Sequence, residues 1–231
     1  IQALRAAVPD ADPMFGWVYG DLSRADASGR VVKRAMIRSM AAHPKTSLAQ
    51  MLAADMFVLP SAALISRAAF TAVGGFDPQF TGYEDDDLFL RLFRASYSNI
   101  FLDQPVTVWC IHDESTSYSV RMSRSRYRFL LKWAAILPQD ALAHSLFPRF
   151  RKIILQDARH SLDPAHKFHA AQDELFAIAA QFVALALASP RFDRRTKLRL
   201  WVKWMRLKRR KYGLVRALTG PGPAPSPARA R

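Results

Sequence analysis

The sequence predicts an α/β domain followed by an all-helical, basic region, and three observations carry this. Over the first half, short apolar runs alternate with stretches of helical period. Beyond residue 119 the pattern is helical throughout. The charge also changes there: residues 1–118 carry a net −3 and residues 119–231 a net +18. With 231 residues, 50% hydrophobic and 23% charged, the chain has the balance of a globular protein and room for one or two cores.

Ile1–Val8 reads as the tail of an amphipathic helix, so further sequence is expected upstream. Met14–Tyr19 is an apolar, aromatic run that predicts a strand ending in a loop at Gly20-Asp21. Ser28-Gly29 signals a turn, and Arg30–Ile37 a second strand at an edge. Leu48, Met51 and Leu52 predict a short helix within Thr46–Ala54. Met56–Leu59 and Ala62–Ile65 flank Pro60, which removes a ladder donor, and at least one of the two is a strand. Ser66 is placed to cap a helix over Arg67–Val73 that Gly74-Gly75 ends. The run Glu84-Asp85-Asp86-Asp87 opens a helix through Ala95, where acids complement the helix dipole. Ile100–Leu102 and Val106–Ile111 read as strands.

Helices are expected over Arg121–Leu137, Ala141–Arg159, Pro164–Ala188 and Thr196–Leu218, with Pro164 as a first-turn proline. The apolar run Leu175–Ala188 falls short of the ~20 residues of a bilayer span and reads as a buried or interfacial helix. Residues 220–231, rich in proline, read as a disordered tail. The domain expectation is therefore 1–118, 119–219 and 220–231. The single cysteine, Cys110, permits no internal disulfide and fits a reducing compartment. No signal-peptide pattern opens the chain.

Several blocks follow one another in order: Ala62–Phe70, then Val73-Gly74-Gly75-Phe76-Asp77, then Tyr83-Glu84-Asp85-Asp86-Asp87-Leu88, then Arg91-Leu92, then a strand ending before His112. Together they resemble the acceptor-side half of a bacterial family 2 glycosyltransferase. Val18-Tyr19-Gly20-Asp21, with Asp26 and Gly29, is similar to the segment that follows that family's nucleotide-binding half. Ser96 departs from the family, which usually has glycine there. The resemblance covers roughly residues 1–118. It implies a GT-A domain, Rossmann-like, truncated at its N-terminus, with the donor-binding half and its metal-binding DxD motif upstream of Ile1. A fragment of that kind would be inactive alone.

Inverting sugar transfer needs a base for the acceptor hydroxyl, and a carboxylate within hydrogen-bond reach serves. The resemblance assigns this to Asp85 and gives Glu84 a part in holding acceptor or orienting the loop. Crowded carboxyls also raise one another's pKa, which suits a base working near neutrality. The plain alternative for the acidic run is a solvated helix start, and Asp87 is read as mainly structural. Tyr83, beside the acids, is a candidate sugar-stacking ring, whereas Trp109 reads as core. Gly74 and Gly75 read as a helix cap, as a place where acceptor nears the backbone, or as both. His112 is either an ordinary polar residue or a ligand of a divalent metal, Mn²⁺ or Mg²⁺, that offsets charge on the leaving diphosphate. His43 and the later histidines read as surface.

On a helical wheel Arg195, Arg199, Lys203, Arg206 and Arg210 share one arc, with Leu198, Trp201, Val202 and Met205 beside it. Such a helix suits an anionic membrane surface; the bland alternative is a packed helix with a solvated basic face. Positive charge alone also attracts nucleic acid, but no zinc-finger or RNA-stacking motif supports that partner. The expected function is sugar transfer from a nucleotide-sugar donor to a saccharide or lipid-linked acceptor of the cell envelope or a polysaccharide. The expected place is the cytoplasm, peripherally on the inner face of the plasma membrane. The alternative is a non-catalytic basic module that binds an anionic membrane or nucleic acid.

Overall fold

The computed structural model describes residues 1–53, 58–110 and 119–219. They form two compact units, Ile1–Ile153 and Ile154–Arg231. The change of charge near residue 119 thus lies inside the first unit.

The first unit is built on one strand, β1 (Phe15–Ala25), whose side chains are buried on both faces apart from Arg24. Trp17, Val18, Tyr19, Asp21 and Leu22 are fully buried, which explains why the run reads as continuously apolar rather than alternating. On one edge β1 pairs antiparallel with β2 (Val31–Lys33) near its C-terminal end and with β3 (Ala63–Ile65) near its start. On the other edge it pairs in parallel with β4 (Ser98–Cys110) along its whole length. The expected loop at Gly20-Asp21 is instead a bulge, with register shifts on either side of Asp21. The strand continues because Asp21 finds internal partners: its carboxylate accepts the amides of Ile37 (2.7 Å) and Arg38 (3.2 Å). That turn, Ile37–Ser39, takes up the end of what reads in sequence as one long second strand.

Around the sheet lie α1 (Gln2–Ala6), α2 (Leu48–Ala53), α3 (Arg67–Ala72), α4 (Glu84–Arg94) and α5 (Val120–Ile136). Ser66 caps α3 as expected, its hydroxyl accepting the Ala69 amide at 3.3 Å. The two strands expected after α4 are one irregular strand, β4; two of its three departures from regular pairing with β1 fall at and just after Asp103–Pro105, which interrupt the apolar pattern, and the third lies at its start, opposite Phe15 and Trp17.

The helix expected over Ala141–Arg159 is broken. A short α6 (Gln139–Ala141) leads into a π turn, Leu142–Leu146, before α7 (Phe147–His160). Pro164 does not open a helix. Asp163 accepts the Ala165 amide at 3.0 Å, holding a side-chain turn, and α8 (Gln172–Ala188) starts later. The segment His169–Ala188 is 20 residues long with a mean hydropathy of 1.4, so by length and composition it does reach that of a membrane span. Its Phe176 packs on Trp204 of α9 (Arg194–Thr219), with ring centroids 5.8 Å apart, and Lys211 of α9 pairs with Asp173 at 2.5 Å. The proline-rich tail, residues 220–231, lies outside the described residues.

Candidate active site at the start of the acidic helix

The site is assembled where α4 begins. Tyr83 precedes it with φ +68°, the left-handed region that costs a bulky residue energy. The cost is met by packing. Tyr83 is 5% exposed, and its ring lies 5.4 Å from Phe129 and 5.8 Å from Phe150, with the Arg126 and Arg149 guanidiniums over it. A ring so enclosed is a pivot for the helix start, and this replaces its reading as a platform for a sugar.

The four acids of the first turn fare differently. Asp87 is fully buried and is the anchor: it accepts Arg91 Nε (2.8 Å) and Trp133 Nε1 (3.1 Å), and Lys132 Nζ pairs with it at 2.7 Å. Arg91 also donates to the carbonyls of Val73 (2.5 Å) and Gly75 (2.7 Å). Lys132 reaches Asp77 at 2.8 Å as well. The blocks Gly74-Gly75-Phe76-Asp77, Asp87 and Arg91 are therefore one hydrogen-bonded unit. Gly74 (φ +80°) and Gly75 (φ +69°) shape its turn, and a Cβ on Gly75 would sit 3.0 Å from the Phe70 ring. Burial opposes ionisation of Asp77, but bonds from Lys132 and Gln79 prevail and hold its carboxyl down at about 2.

Asp86 accepts Arg149 at 2.9 Å. Asp85 has no cationic partner among the described residues; the amide of Asp86 donates to it at 2.8 Å. Burial, then the charges of Asp86 and Glu84, push its carboxyl up to about 7. Glu84 keeps one buried carboxylate oxygen without a partner among the described residues. The first turn of α4 thus holds a carboxyl that changes charge near neutrality, carried on a helix fixed by Asp87.

Sequence reasoning did not find Lys132, Trp133 and Arg149. They are distant in sequence and sit in helices whose pattern says only that they are amphipathic. It also placed His43 at the surface. His43 is half-buried between Tyr19, whose hydroxyl is 2.6 Å from its Nδ1, and Phe101. Burial, then the Lys45 charge, pushes its pKa down to about 4 against the pull of Asp21. Trp109 packs against the cluster of Leu22, Met36 and Ile37, as a core residue should.

His112 lies outside the described residues. Among those described, no group of three His, Cys, Asp or Glu side chains converges on a point that could hold a metal. The acidic run does not supply one, because Asp86 and Asp87 are taken by Arg149, Arg91 and Lys132. In the second unit Arg195, Arg199, Trp201, Lys203, Arg206 and Arg210 are all exposed along α9. Leu198 and Tyr212, each 59% exposed, flank Trp201 at 48%.

The family described as glycosyltransferase-like family 2 matches this chain over residues 20–143. No curated protein and no solved structure gives a match. The matched span takes in the second half of β1 with β2, β3 and β4, the acidic helix and α5, whose Lys132 and Trp133 hold Asp87.

Proposed function

Since the chain belongs to glycosyltransferase-like family 2, we propose that it takes part in moving a sugar from a nucleotide-sugar donor to a saccharide or lipid-linked acceptor of the cell envelope or a polysaccharide. In this reading Asp85 takes the proton from the acceptor hydroxyl as its oxygen bonds to the anomeric carbon and the bond to the nucleotide diphosphate breaks. The configuration at that carbon inverts. The observation that carries the reading is the Asp85 carboxyl, raised to about 7 and without a cationic partner among the described residues, on a helix start held by Asp87. A base with a pKa near the working pH combines sufficient ionised form with useful basicity. Glu84, next to it, lies within the same crowded first turn and orients acceptor; Gly74 and Gly75 are the turn that Arg91 ties to it.

A divalent metal, Mn²⁺ or Mg²⁺, belongs to the reading through the family alone, with His112 as its expected ligand. The described residues do not make its site, and no step here runs through it. The test is transfer by the complete natural protein from a panel of labelled nucleotide sugars, beside its Asp85→Asn variant. Donor-dependent transfer lost in the variant supports the reading. Full activity of the variant overturns the base, and no transfer from any donor overturns the function.

The second unit supports a place for the reaction. An exposed Trp201, Leu198 and Tyr212 beside Arg195, Arg199, Lys203, Arg206 and Arg210 is the arrangement of an interfacial helix. We place it on the anionic, cytoplasmic face of a membrane, where each cation near the surface contributes ~1 kcal/mol.

A further inference from the structure

The second unit contains a cavity of its own. Helices α8 and α9 pack on each other, with the rings of Phe176 and Trp204 5.8 Å apart. Beside that contact α8 presents only the methyl groups of Ala177 and Ala180, and a space of about 280 Å³ remains between the helices. Its lining is of two kinds. Phe176, Trp204 and Tyr212 supply aromatic surface, and Lys208 and Lys211 supply charge, with Asp173 as the one acid.

The charges are arranged for exchange. The Lys211 side chain is 14% exposed, and its ammonium lies 4.6 Å from the centre of the Phe176 ring. It pairs with Asp173, whose own side chain is 93% exposed. A carboxylate so fully in water loses little when such a pair opens, which leaves Lys211 able to take another anion. Lys208, half-buried in the same lining, makes no ion pair among the described residues. Two lysines against one acid leave the cavity positive, so a cationic ligand is repelled. A bare inorganic anion would gain nothing from the three rings. The lining therefore fits a ligand with an anionic head and an apolar body. The volume lies at the lower end of small-ligand sites, ~300–1,000 Å³; it admits a length of one hydrocarbon chain and excludes the face of a partner helix.

The position on α9 says where such a ligand is found. Leu198, Trp201, Met205, Lys208 and Tyr212 follow one another at steps of three and four and so form one stripe. Leu198, Trp201 and Tyr212 on that stripe are exposed. The cavity thus shares Lys208 and Tyr212 with the apolar surface that α9 offers to a bilayer.

We propose that this cavity binds one anionic phospholipid of the membrane, its phosphate held by Lys208 and Lys211 and one acyl chain lying against Phe176, Trp204 and Tyr212. The proposal rests on the membrane placement of α9 and deepens it. The basic arc attracts any anionic surface, whereas the cavity recognises a single lipid by its head and chain together.

The probe is dihexanoyl phosphatidylglycerol, kept below its critical micelle concentration, titrated calorimetrically into the full chain and followed also by thermal unfolding. Wild type binds one lipid per chain and melts at a higher temperature with it. Ala177→Leu fills the cavity without altering charge and weakens binding at least about tenfold. Lys208→Gln removes one charged contact and does the same; thermal unfolding without lipid verifies that both variants fold. Lys152→Gln, an equal loss of charge at an exposed position of α7, changes affinity less than about twofold. Dihexanoyl phosphatidylcholine has the chains without the net charge, and inorganic phosphate has the charge without a chain. Each binds at least about tenfold more weakly. Equal affinity in wild type and Ala177→Leu, or no binding to wild type at millimolar lipid, overturns the site. Equal binding of phosphatidylcholine overturns the part of the lysines, and equal binding of inorganic phosphate overturns the lipid.

The membrane placement fails by a different result. Lys208-dependent binding of the soluble lipid, without sedimentation on anionic vesicles, keeps the cavity and removes the placement of α9. Sedimentation that depends on Arg199 and Arg206, without binding of the soluble lipid, keeps the placement and removes the cavity.

Discussion

Replacing Asp85 by asparagine should make the protein more stable and less active at once, and the pH dependence separates this from an ordinary structural effect. The Asp85 carboxyl titrates near 7 in the folded chain and near 3.8 when free of its surroundings. Between those values the folded protein holds a proton that the unfolded chain has released, so stability falls as pH rises across that window and levels off above it. Three pK units correspond to about 4 kcal/mol. Asparagine keeps the oxygen that accepts the Asp86 amide but cannot ionise. Asp85→Asn should therefore gain up to about 4 kcal/mol over wild type at pH 8 and nothing at pH 4.

The wild type by itself would hide this slope. His43, pushed down to about 4, works in the opposite sense: it contributes stability above pH 6.5 that is lost as pH falls toward 4. The two trends offset each other, so the difference between variant and wild type is the quantity to measure. Urea unfolding of both at pH 4, 5, 6, 7 and 8 gives it. Over the same series, transfer activity of wild type should rise through about pH 7 as the base ionises. The variant should lose roughly a hundredfold or more, the usual contribution of a general base. A variant destabilised equally at every pH, or one that retains activity, refutes the reasoning from burial to base.

Other perturbations read other parts of the site. Asp87→Ala strands Arg91 and Lys132 without their buried partner and should cost about 3–5 kcal/mol in urea unfolding; a loss under 1 kcal/mol, the size of a surface pair, would mean that Asp87 is not the anchor. Gly75→Ala places a Cβ at φ +69° against the Phe70 ring and should cost about 1–2 kcal/mol by thermal or urea unfolding. Trp201→Ala combined with Arg199→Glu and Arg206→Glu should reduce sedimentation with vesicles rich in anionic lipid by tenfold or more, given ~1 kcal/mol per cation, and leave folding unchanged. Equal sedimentation of that variant would remove the membrane reading of α9.

What the sequence discloses is what depends on neighbours along the chain. The Ser66 cap, the Gly74-Gly75 turn and the acidic start of α4 each follow from contacts within a few residues, and each stands where its pattern puts it. Asp21 was misread because its partners, the amides of Ile37 and Arg38, arrive from sixteen residues on. An aspartate after a glycine reads as a loop until those donors are known. Lys132 carries no signal at all: it becomes a site residue only because α5 lies across α4 and lets one ammonium meet both Asp77 and Asp87.

This gives a physical reason for the order of the motif blocks. Gly74-Gly75, Asp77, Asp87 and Arg91 are separate words in sequence, yet Arg91 and Lys132 close them into one ring of ion pairs and carbonyl bonds around Asp87. The ring spends none of its bonds on Asp85. It fixes the helix start by the acid that faces inward, so the acid two residues earlier is held in place without being neutralised. A carboxylate given its own arginine would have its pKa lowered and would be a poor base near neutrality. Dividing the work between Asp87, which is paired and silent, and Asp85, which is crowded and titratable, is what allows one short acidic run to be both the anchor and the candidate base.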